Sequence, residues 1–94
     1  MQGPTADPSI PMMPWGQARA IFAIAERALG EAGFSLADVV RTRMFVVRPD
    51  DIAAVSAANG EVFWSIRPVA TLVLVAGLMD PSLLVEIEFE ARRA

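Results

Sequence analysis

Apolar and polar positions change period four times along this chain, and each change marks an element. From about Gly16 to Ala32, Ile21, Ile24, Ala25, Ala28 and Ala32 recur at helical spacing, with Arg19, Glu26, Arg27 and Glu31 left for water. The alanines favour helix and allow close approach to a sheet. Gly33 stands where a left-handed residue closes a helix. Ser35-Leu-Ala-Asp38 is an S-x-x-D pattern that caps one short turn.

From Val39 to Val47 the residues become β-branched and aromatic, which predicts a strand. A period of two puts Val40, Thr42, Met44 and Val46 on one face. It puts Val39, Arg41, Arg43, Phe45 and Val47 on the other. Two arginines among large apolar residues show that this second face is not a plain core. Pro49-Asp50-Asp51 opens a second helix, its acids suited to the positive end of the dipole. Ile52, Val55, Val62 and Phe63 supply its apolar side, and Asn59-Gly60 predicts a kink or an early stop.

Two strands follow Arg67-Pro68, from about Thr71 to Val75 and from Leu84 to Ala91. In the second, Val85, Ile87 and Phe89 alternate with Glu86, Glu88 and Glu90. Gly77-Leu-Met-Asp-Pro81 joins them with turn residues, so an antiparallel pair is the simplest reading. The order α, β, α, β, β predicts an α/β (α+β) subunit: a thin sheet with two helices on one face and the other face uncovered. Residues 1–14 carry Pro4, Pro8, Pro11 and Pro14 and read as a proline-rich arm; residues 15–94 read as one domain.

Composition sharpens this picture. With 54% hydrophobic residues in 94, the chain has more apolar material than one small core hides, which predicts burial against copies of itself. The longest apolar stretch, Val69 to Met79, is too short to span a bilayer, so no membrane partner is expected. No secretory pattern opens the chain, and a cytoplasmic location is expected. Net charge is −3 and the eight arginines are scattered, apart from Arg92-Arg93. A nucleic-acid backbone needs clustered cations, so nucleic acid is not an expected partner.

The chain has no His, Cys, Lys or Tyr. That excludes Ser-His-Asp and Cys-His catalysis, Schiff-base chemistry, the phosphate-binding lysine loop and His- or Cys-based metal sites. No metal or cofactor is expected. Any proton transfer falls to a carboxylate.

Several stretches, collinear after the arm, resemble the reactive intermediate deaminase (Rid) family, also labelled endoribonuclease L-PSP. Gln17-Ala-Arg19 is similar to its Q-x-R helix start. Glu31-Ala-Gly-Phe-Ser-Leu-Ala-Asp-Val-Val40 is similar to its A-A-G-x-S-L-x-D-V-V turn. Asp51-Ile-Ala-Ala-Val55, Arg67-Pro68 and Leu84-Val-Glu-Ile-Glu88 resemble its D-x-x-A-V, R-P-A and V-E-I-E elements. The resemblance implies a chorismate-mutase-like subunit in a homotrimer, with clefts for a small-molecule ligand between subunits.

Two departures qualify that implication. The family usually opens with further strands bearing G-P-Y-S and S-G-Q motifs, and neither motif is here. The family's P-A-R-S/T motif, whose arginine clamps a substrate carboxylate, reads Pro68-Val-Ala70-Thr71. Losing such a bidentate contact costs on the order of a few kcal/mol.

By the same resemblance, Glu86 corresponds to an acid that handles water; from pattern alone it is one of three solvated glutamates. Arg43 either supplies a cation to the cleft or pairs with Glu86 or Glu88. Arg67 reads as a cap before Pro68. Ser56 stands where relatives carry Asn, and is either a cleft residue or a surface serine. Thr71 and the Leu72 backbone follow Ala70, where the family aims donors at its ligand. The expected functions are then hydrolysis of an imine or enamine lacking a carboxylate, ligand binding without catalysis, and, least supported, ribonuclease activity.

Overall fold

The computed structural model describes residues 13–93; the proline-rich arm expected over residues 1–14 lies almost entirely outside them. Helix α1 spans Pro14–Glu31 and begins with proline at its first turn, where a missing N–H is harmless. It ends in a Schellman motif: Phe34 N–H donates to the Leu29 carbonyl at 2.7 Å and Gly33 N–H to Gly30 at 3.1 Å. Gly33 has φ +86°, as a residue in that position must.

The buried stripe of α1 is rotated from the expected one. Ala18 and Phe22 are buried, with Ile21 and Leu29 packed beside them, while Ile24 is 62% exposed. Phe22 decides the rotation. Its ring meets Phe63 at 5.6 Å and Phe89 at 5.7 Å, both edge-on.

The Ser35 turn forms as expected. Ser35 N–H donates to Asp38 Oδ2 at 2.9 Å, capping a 3₁₀ turn over Leu36–Asp38. Strand β1 follows at Val39–Val46. Thr42, Met44 and Val46 face the core, but Val39 is buried and Val40 is exposed. A pairing irregularity between Val39 and Arg41 causes this exchange, since one extra residue in a strand reverses its facing.

A 3₁₀ turn over Pro49–Asp51 leads into α2 (Ile52–Phe63). Arg48 Nε donates to the buried Asp51 carboxylate at 2.9 Å. The helix runs through Asn59-Gly60 without stopping. Asn59 Oδ1 accepts from the hydroxyl of the fully buried Thr42 at 3.2 Å, so the weak helix former is retained by a contact to β1. After α2, Arg67 N–H donates to the Phe63 carbonyl at 2.8 Å, and Arg67 has φ +58°. A non-glycine residue held there costs about 1–2 kcal/mol.

Strand β2 (Val69–Leu74) pairs parallel to β1, and β3 (Val85–Ala91) pairs antiparallel to its other side, giving the order β2-β1-β3. The expected antiparallel pair of β2 with β3 does not form. Because α2 lies between β1 and β2, the connection is a β-α-β crossover, which demands parallel strands. The chain then crosses to the far edge of β1. Asp80 accepts from the Ser82 hydroxyl at 2.7 Å and N–H at 2.9 Å, turning the chain towards β3.

Gln17 fixes this return. Its Oε1 accepts the Leu84 N–H at 2.7 Å, and its Nε2 donates to the Ser82 carbonyl at 3.2 Å. The core between helices and sheet contains Phe22, Met44, Val46, Val55, Phe63 and Val85. The result is a mixed three-stranded sheet with two helices on one face.

Candidate functional site

The open face of the sheet is built in three rows, because residues in register share a face. Val69, Arg41 and Glu90 make the first, Thr71, Arg43 and Glu88 the second, and Val73, Phe45 and Glu86 the third. Charge therefore occupies all three β3 positions and two of the three β1 positions, the third being Phe45, while β2 contributes two valines and one threonine. Val69 is 60% exposed and Val73 39%.

Arg43 Nη2 lies 3.0 Å from Glu88 Oε1, each side chain about half exposed. Glu90 is held by Arg92, with Nη2 at 2.9 Å. Glu86 makes no ion pair or side-chain hydrogen bond among the described residues. A shallow depression of about 450 Å³ is lined by Arg41, Arg43, Glu88, Phe89 and Glu90. Glu86 is not in its wall. Arg41 lies two residues from Arg43 on the same face; that spacing was the available signal for a second cation in the depression.

The other candidates lie elsewhere. Ala70 shares a row with Thr42 and Phe89, and Leu72 with Met44 and Ile87, so both side chains face the helix layer. Ser56 is exposed on α2. Thr71 alone of the β2 candidates stands on the open face, beside Arg43.

The backbone of β2 is divided between its two edges. Val75 N–H donates to the Val46 carbonyl at 2.9 Å. Alternation along a parallel strand then directs the amides of Val73 and Thr71 towards β1 as well. The amides of Ala70, Leu72 and Leu74 face the other edge, which pairs with no strand among the described residues. Among the described residues Leu72 thus offers a backbone donor and acceptor without a partner, and Thr71 offers its hydroxyl.

One chain does not bring the candidates together. Glu86 is on β3 and Leu72 on β2, with β1 between them. Ala70 and Glu86 face opposite sides of the sheet. Arg43 and Thr71 are neighbours, with Glu86 one row along. Among the described residues no three carboxylates cluster as metal ligands, and no helix is long and apolar enough to cross a membrane.

Comparison with known proteins places this geometry among relatives. The family model described as Endoribonuclease L-PSP matches residues 4–93. An uncharacterised protein of Streptomyces coelicolor is 40% identical over 80 residues, which are 85% of this chain and 60% of that protein. A crystal structure of a member of the YjgF/YER057c/UK114 family from Mycobacterium tuberculosis is 44% identical with a TM-score of 0.80, covering 82% of this chain and 65% of that one. Escherichia coli TdcF with bound serine is 25% identical with a TM-score of 0.77, covering 85% of this chain and 65% of its own. The chain thus spans less than two thirds of each of these relatives.

Proposed function

The chain belongs to the Endoribonuclease L-PSP (YjgF/UK114, Rid) family, and on that premise we propose that it is one subunit of a homotrimer that hydrolyses a small imine or enamine in clefts between subunits. The supporting observation is the separation of its candidate residues within one chain. Glu86 and the free Leu72 edge are two strands apart, so a cleft using both needs a second copy. The exposed apolar residues of β2 give that copy a surface to cover.

In this reading Glu86 takes a proton from water as its oxygen adds to the C=N carbon. That proton passes to the nitrogen to give a carbinolamine; its hydroxyl proton then follows to the nitrogen as the C–N bond breaks, and the products are a carbonyl compound and ammonia. Backbone donors at the Leu72 edge and the Thr71 hydroxyl hold the ligand. Arg43 is committed to Glu88, which reduces its value as a ligand cation, and Ser56 is a peripheral contact. With Ala70 in place of an arginine, no clamp for the substrate carboxylate stands at that position, so specificity differs from that of relatives which carry one. The serine in TdcF supports a cleft sized for small polar metabolites. A cytoplasmic setting suits such a substrate.

Ala70 also favours a second reading: a trimer that binds a small ligand without turning it over. Ribonuclease activity has less support. The open face carries three glutamates against two arginines, and a polyanion gains little from it.

The discriminating experiment measures ammonia release from a freshly generated small imino acid, and from a neutral imine, against the spontaneous rate. Acceleration that Glu86→Gln abolishes supports the hydrolase. No acceleration of either substrate by folded protein removes it and leaves the binding reading.

A further inference from the structure

Two unusual residues lie three positions apart where α2 gives way to β2. Trp64 is 72% exposed, a large apolar ring left to water. Arg67 holds a left-handed backbone, φ +58°, immediately before Pro68. Glycine or asparagine fills such a position without strain, so the fold alone does not ask for arginine. Its Nε donates to the Trp64 carbonyl at 3.3 Å, which ties the guanidinium to the residue bearing the indole. Among the described residues no carboxylate pairs with it, and its two terminal nitrogens remain available as a fork.

We propose that Trp64 and Arg67 form a binding site for a small carboxylate with a flat apolar body. The guanidinium fork takes the carboxylate, and the body lies against the indole. Strain at a polar residue is retained where that residue has a task, and anion capture is the task a tethered, unpaired guanidinium performs. Arg67 precedes the row of Val69, Arg41 and Glu90, which is four residues, or about 13 Å along the strand, from the row holding Glu86. The site is therefore separate from Glu86 within one chain, and it does not depend on the imine chemistry.

The test follows phenylacetate binding through Trp64 fluorescence in a Trp15→Phe background, with benzyl alcohol as the neutral control. Saturable quenching by phenylacetate, absent with benzyl alcohol, is expected. Arg67→Gln and Arg67→Gly each weaken it at least about tenfold. Arg67→Gly, relieved of the strain, melts no lower than the parent. Phenylacetate binding unchanged in both variants overturns the proposal. So does a melting temperature several degrees lower in Arg67→Gly, which would make the arginine a structural cap. A Trp64 that iodide cannot quench also overturns it, because the indole would then be covered by another copy.

Discussion

Replacing Gln17 by alanine removes both ends of the side-chain amide that ties α1 to the return loop. The Leu84 N–H and the Ser82 carbonyl lose their partners at 2.7 and 3.2 Å. Gln17 is buried, so water does not simply take its place. Each bond is worth about 1 kcal/mol net, and a backbone group left dry costs about 1–3 kcal/mol. The site is only partly enclosed on the loop side, which sets the expected loss at about 2–3 kcal/mol. For a chain of this size that is about 10–20 °C in Tm. Thermal unfolding by circular dichroism measures the total. Amide exchange at Leu84 locates it, and protection there falls further than at Val46. The loop leads directly to Val85 and Glu86, so the variant also loses more Glu86-dependent activity than an equally destabilising Val55→Ala. A Tm within 2 °C of the parent would refute the assignment of Gln17 as the fastener of β3.

Three further outcomes are expected. Ser82, chiefly through its hydroxyl and then its N–H, holds the Asp80 carboxyl below the usual carboxylate range. A lowered folded-state pKa contributes stability that is full above the ordinary value near 3.8 and is lost as pH falls through the folded value; Asp80→Asn flattens that acid limb in pH-dependent melts. Arg43→Gln breaks a half-exposed ion pair and shifts stability by less than about 1 kcal/mol, read by urea titration; a larger loss would show that the pair organises the face. Ala70→Arg confers or raises hydrolysis of imino acids over neutral imines, measured as ammonia release, and an unchanged ratio would separate position 70 from carboxylate recognition.

Much of the fold was readable in the residues, and the failures have identifiable causes. Both helices, the Gly33 stop, the Ser35 cap and all three strands lie close to where periodicity puts them. The Gly77–Pro81 turn residues point to an antiparallel β2–β3 pair, whereas the α2 crossover sets β2 parallel to β1. Val39 and Val40 exchanged faces through a local irregularity that no period of two reveals. Helix propensity makes Asn59 a weakness, but its partner, Thr42, lies seventeen residues away on another element, beyond the reach of local pattern. The spacing of isoleucines and alanines favours one α1 stripe, whereas Phe22, edge-on to Phe63 and Phe89, settles another.

The candidate site was legible as residue types and not as an arrangement. The alternation of β3 placed Glu86, Glu88 and Glu90 on one face, and one of the two partners weighed for Arg43 proved to be Glu88. The division of the β2 backbone between a paired and a free edge depends on which neighbour β2 chooses, and composition does not carry that choice. Position 70 was identified through family resemblance alone. Its distance from Glu86 in one chain is what turns the reading towards a cleft shared between copies.

Sedimentation equilibrium on the purified chain, at micromolar concentration, tests that reading most directly. A mass three times the 10.1 kDa chain is the expected result, and it would give Glu86 and the Leu72 edge the second copy they need. A folded species at 10.1 kDa would contradict the shared cleft and the hydrolysis proposed for it.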